Sequence, residues 1–164
     1  KVIYPLLEKA GILWKKSDLM PAQEHFLSNL IKQKIQSAIN SIPPAPPSER
    51  PWILFLPEEE VHDIGLMLSS YIIREHGNQV IYLGARVPAE SLYSVLELFP
   101  KAKLLFFLVK EFEEKRINSL IKNVNSNYPN SNIHISTNPL RLEQIEKNSD
   151  FEKITSIELL VKKL

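Results

Sequence analysis

The stretch Trp52-Ile53-Leu54-Phe55-Leu56-Pro57-Glu58-Glu59-Glu60-Val61-His62-Asp63-Ile64-Gly65 decides the fold. Its first five residues form an unbroken apolar run of strand length, which predicts a strand covered on both faces. Pro57 ends the run and three carboxylates follow. Val61, Ile64, Leu68 and Ile72 then recur at helical spacing until Gly77. The same alternation repeats downstream. Val80 to Leu83 reads as a strand, followed by a helix that Pro88 starts and Pro100 stops. Leu104 to Val109 is a third strand, with Ile117, Leu120, Ile121 and Val124 on the helix after it. Asn132 to Ser136 is a fourth, before a helix around Leu140 to Ile145, and a fifth near Ile154 precedes a terminal helix from Ile157. Strict strand–helix alternation implies an α/β fold with a five-stranded parallel sheet of flavodoxin-like order. In such sheets ligands sit at the carboxyl ends of the strands.

Upstream, Pro43-Pro44-Ala45-Pro46-Pro47-Ser48-Glu49-Arg50-Pro51 cannot be helix, because each Pro lacks an N–H and pushes its predecessor to extended geometry. It divides the chain into a helical segment, 1–42, a linker, 43–51, and the α/β domain, 52–164. In the first segment Ile3, Leu6, Leu7, Ala10 and Trp14 recur at helical spacing. So do Leu27, Leu30, Ile31, Lys34, Ile35 and Ala38. Ser17-Asp18 separates the two sets and Pro21 suits a first helical turn. Two such helices bury little alone and are expected to form part of a helical bundle.

Composition narrows the function. Apolar residues make up 44% of the 164, enough for a buried core. Twenty basic against nineteen acidic residues leave a formal charge of +1, which gives no reason to expect a nucleic-acid or membrane surface on this chain. No Cys is present, so no disulfide or thiolate metal site exists, as suits a cytoplasmic protein. No Walker loop, Gly-x-Gly-x-x-Gly or nucleophile elbow appears, and nothing points to an autonomous enzyme.

His62 leaves the carboxyl end of the first strand, beside the expected ligand crevice. Glu60 can accept a proton from one ring nitrogen and leave the other for a metal, while Gly65 permits close approach of a bulky planar ligand. The plain alternative is a solvated His in a first helical turn. His76 beside Gly77 reads as a helix C-terminal cap, His134 as structural, and Gly84-Ala85-Arg86-Val87-Pro88 as a strand–helix turn able to border a ligand.

Glu60-x-His62-x-x-Gly65 resembles the Asp-x-His-x-x-Gly element of cobalamin-binding domains. Trp14, nine residues and then Glu24-His25 resembles the Trp-x9-Glu-His pattern of cobalamin-dependent MerR-type transcription regulators. The resemblance implies cobalamin, as adenosylcobalamin or methylcobalamin, held between helical cap and α/β domain. His62 would be the lower cobalt ligand, and Trp14, Glu24 and His25 would lie around the upper ligand. The family's Ser-x-Leu element falls at Phe107-Leu108-Val109 and its Gly-Gly at Ser136-Thr137. Phe107 is expected to narrow the tunnel for the nucleotide tail, and Ser136 and Thr137 to crowd it. Lys15 stands where light-sensing members carry a cobalt-ligating His, so the light-triggered bis-His state is not carried over. The resemblance implies the effector-sensing and oligomerisation region of a regulator: a homo-oligomer, reaching DNA through a helix-turn-helix domain upstream of Lys1. Two rivals stand beside it, the same region having lost cobalamin, and a corrinoid carrier for a methyltransferase.

Overall fold

A computed structural model describes residues 20–138, 145 and 150–164. Trp14 and the first helical set lie outside the described residues, as does most of the helix expected around Leu140 to Ile145. The chain divides into two compact units, Lys1–Ser41 and Ile42–Leu164.

In the first unit a single helix is described, α1 (Pro21–Asn40). Pro21 takes its first turn, where the missing N–H costs nothing, and the Gln23 side chain accepts from the Met20 backbone N–H at 3.0 Å. Ile31 and Ile35 are its buried residues, one turn apart.

The second unit runs β1 (Trp52–Pro57), α2 (Ile64–Glu75), β2 (Val80–Val87), α3 (Ala89–Leu98), β3 (Lys103–Leu108), α4 (Glu114–Asn127), β4 (Asn132–Thr137), β5 (Glu152–Lys153) and α5 (Ile157–Val161). All pairings are parallel, in the order β2-β1-β3-β4-β5. This is the flavodoxin-like sheet expected from the alternation. Side chains along each strand point alternately to its two faces. Ile53, Phe55, Leu104, Phe106 and Leu108 therefore meet Leu92 and Leu96 of α3 and Ile117, Leu120, Ile121 and Val124 of α4. Trp52, Leu54, Leu56 and Leu105 meet Leu66, Ile72 and Ile73 of α2 and Leu160 of α5.

Two elements differ from expectation. Helix α2 begins at Ile64 rather than Val61, because Val61 and His62 give their N–H groups to Glu60 instead of to a helical turn. Strand β2 continues to Val87 through two irregularities, where Phe55 pairs with Gly84 and Pro57 with Val87. The extra residues are absorbed at Gly84 (φ 82°) and at Arg86, whose φ of 58° is the left-handed conformation that side chains disfavour.

The linker is anchored at its end. The Ser48 N–H donates to Gln79 at 2.7 Å, and Arg50 reaches the Lys101 carbonyl and Asn132 Oδ1. Among the described residues no helix is long and apolar enough to cross a membrane.

Candidate functional site

In the order β2-β1-β3 the chain leaves β1 towards one edge and returns at β3 on the other side, so the loops after these strands part at a topological switch point. Glu60 stands in the first of them, just beyond a turn closed by its own N–H on the Pro57 carbonyl at 2.9 Å. Only 4% of the residue is exposed.

Five N–H groups hold its carboxylate. Oε1 accepts from the Val61 and His62 backbone at 2.8 and 3.0 Å and from His62 Nδ1 at 2.6 Å. Oε2 accepts from the backbone of Val109 and Lys110, across the switch point after β3, at 2.7 and 2.8 Å. Burial alone would raise the carboxyl pKa. The hydrogen bonds from Lys110, from the His62 backbone and ring, and from Val109 outweigh it and bring the pKa down to about 2. Glu60 is thus an anion at any physiological pH and only accepts. His62 Nδ1 must therefore carry the proton, and in the neutral ring Nε2 keeps its lone pair. The imidazole side chain is 48% exposed, and among the described residues its Nε2 has no protein partner. A carboxylate fixing one nitrogen of an accessible imidazole is an arrangement that orients a metal-ligating His. Among the described residues no cluster of three or more His, Cys, Asp or Glu side chains could hold a metal ion by itself.

Gly65 opens α2 one turn beyond the His. A Cβ placed there would stand 2.9 Å from Phe107 Cε1 and 3.2 Å from Cδ1, so the Phe107 ring lies directly on the Gly65 backbone. Phe107 is half-buried against the α2 side of the sheet and pairs in register with Ser136, as Leu108 does with Thr137. The Thr137 hydroxyl donates to the Leu108 carbonyl at 2.5 Å. Val109, the next residue, is 49% exposed.

The structure thus brings Glu60, His62, Gly65, Phe107, Val109, Ser136 and Thr137 to the carboxyl ends of β1, β3 and β4. Glu24 and His25 belong to the other unit. Glu24 is half-buried on α1 and accepts from Ser28 at 3.5 Å, while His25 is exposed. Trp14 lies outside the described residues. His76 caps α2 with Nδ1 2.8 Å from the Ile72 carbonyl. His134 is buried and packs on Trp52 with ring centroids 4.8 Å apart. Nδ1 lies 3.0 Å from the Leu104 carbonyl, and burial holds its pKa down.

Sequence reasoning did not find the Val109 and Lys110 amides, since a backbone N–H leaves no mark in residue type. It also passed over Tyr82, 37% exposed two residues before Gly84, whose hydroxyl pKa is raised by burial and by Asp63. A tyrosine breaking an apolar strand run was the available signal.

No family model matches the chain. It is 36% identical over 101 residues to the HTH-type transcriptional repressor CarH of Myxococcus xanthus, a match covering 61% of this chain and 33% of that protein. It is 32% identical over 90 residues to the HTH-type transcriptional repressor CarA of the same organism, covering 55% and 29%. The chain thus spans about a third of the length of the curated relatives it matches. Its fold is that of the monomethylamine corrinoid protein of Methanosarcina barkeri, with a TM-score of 0.67 at 14% identity, over 93% of this chain and 74% of that one. A cobalamin-binding protein from Desulfitobacterium hafniense DCB-2 aligns with a TM-score of 0.55 at 12% identity, over 98% and 87%. By sequence the chain is similar to two HTH-type transcriptional repressors, and by fold to a corrinoid protein and a cobalamin-binding protein, as the motif resemblance leads one to expect.

Proposed function

We propose that this chain is the effector-sensing region of a MerR-type transcription regulator, taking cobalamin through His62. The observation that carries the reading is the His62–Glu60 pair at 2.6 Å, with the Nδ1 proton held by a buried anion and Nε2 left as a donor atom beside the switch point. When bound, the corrinoid would supply a cobalt ion that His62 would ligate and, as adenosylcobalamin or methylcobalamin, a labile cobalt–carbon bond. The Glu60-oriented, half-exposed imidazole suits ligation of a metal. The residues present do not suit a nucleotide tail lying between β3 and α2, because the Phe107 ring already rests on Gly65. A tail would require Phe107 to turn away from the α2 side of the sheet.

Gel filtration of the chain after incubation with adenosylcobalamin, and separately with methylcobalamin, followed by a visible spectrum, tests this. Retained corrinoid absorbance is expected, with the lower-ligand bands shifted, and lost in His62→Ala. Colour absent from the wild type would sink cofactor binding.

A second reading, the same region after loss of cobalamin, is favoured by the Phe107–Gly65 contact. It predicts a colourless wild type and binding gained by Phe107→Ser with Ser136→Gly and Thr137→Gly. A third, a corrinoid carrier for a methyltransferase, draws only on fold, and identity of 36% to a repressor against 14% to a corrinoid protein favours the regulator. Methyl transfer from bound methylcobalamin to a partner methyltransferase would reverse that preference.

In the regulator reading, DNA is contacted by residues outside this chain and the effector acts by changing how copies associate. Sedimentation velocity with and without adenosylcobalamin is expected to show that change.

A further inference from the structure

A pocket of about 310 Å³ opens at the carboxyl ends of β1 and β3 on the face of the sheet opposite Phe107 and Gly65. Its floor is Phe55, Leu108, Ile117 and Leu120, all core residues, and the half-buried rings of Tyr93 and Phe112 also line it. The volume fits a compact organic molecule.

The rim is unbalanced. Glu58, Glu59, Glu111 and Glu113 border it against Lys110 and Arg116. Arg116 is already engaged, with Nη1 2.7 Å from Glu59 and Nε 2.9 Å from Glu113. Glu60 also reaches the pocket, but both its oxygens are spent on N–H groups. An anion would meet surplus carboxylate and a guanidinium with two partners. A cation would find carboxylates and the aromatic rings of Tyr93 and Phe112.

We propose that this pocket is a second binding site, separate from His62, for a small flat aromatic cation. The proposal does not rest on the corrinoid reading, although the pocket shares Glu60 with the His62 site. Glu60 lines the pocket and orients His62 at once, so an occupant pressing on the loop of Lys110 also presses on the clasp of the imidazole.

The probe is proflavine, a fluorescent planar cation, titrated against the full chain without corrinoid. The control is 1-anilinonaphthalene-8-sulfonate, an anion with an aromatic body. A saturable change at one equivalent is expected for proflavine, with the anion roughly tenfold weaker. Ser119 is an exposed pocket residue on α4. Ser119→Trp should cover the mouth without disturbing the core and cost proflavine roughly tenfold or more. Glu59→Gln with Glu113→Gln frees Arg116 and should move the preference towards the anion. Proflavine binding no tighter than the anion, or untouched by Ser119→Trp, overturns the proposal. So does a proflavine affinity that falls as chain concentration rises, with self-association abolished by Ser119→Trp, which would assign the pocket to a second copy.

Discussion

At the scale of single residues, Glu60 carries the site. Its carboxyl falls from an ordinary 4.5 to about 2 on folding, so its ionised form stabilises the folded state. That contribution is fully present above about pH 4.5 and is lost as pH falls through about 2. It amounts to on the order of 3 kcal/mol by linkage. Urea denaturation of wild type and Glu60→Gln should differ by that order near neutral pH, and the gap should close as pH drops through this window. A gap independent of pH would refute the ionic account. Glu60→Asp, shorter by one methylene, is expected to keep the contacts to its own loop and lose Val109 and Lys110, with a smaller cost in the same assay. The Glu60–His62 pair was legible in the sequence because both partners are side chains two residues apart. The other half of the clasp was not, since it joins residues about fifty positions apart through amides common to every residue.

At the scale of elements, the start of α2 and the end of β3 are fitted to each other. Gly65→Ala would put a methyl group within 2.9 Å of Phe107 and should cost about 1–3 kcal/mol by overpacking. Phe107→Leu should absorb much of that cost, so a double-mutant cycle is expected to give strong coupling, and additive effects would argue against the contact. Strand β2 supplies a second case. Arg86 is exposed at φ 58°, so Arg86→Gly removes strain and little packing and should raise stability by about 0.5–1 kcal/mol in thermal melts. The central strands and the helix faces were readable because β1 and β3 are apolar runs and the helices of the sheet unit each keep an apolar stripe. The extension of β2 to Val87 was not, because Gly84 reads as a turn and only the pairing with β1 shows that the sheet continues past it.

At the scale of the whole molecule, the unit from Ile42 onward owns its core. The anchors at Ser48 and Arg50 secure its first residues to Gln79, Lys101 and Asn132 within the same unit. A fragment spanning 42–164 is therefore expected to unfold cooperatively by circular dichroism, and a broad, non-cooperative transition would contradict this. The proline cluster, read as a linker between segments, falls within the second unit, which begins at Ile42. The place where the linker becomes part of the α/β unit was not legible, because it depends on contacts made far along the chain. The Glu60 clasp has a last consequence on this scale. The amides of Val61, His62, Val109 and Lys110 lie outside regular structure, where exchange with deuterated water is ordinarily fast. Tied to one buried anion, they should exchange slowly and together, on the timescale of the sheet rather than of a loop.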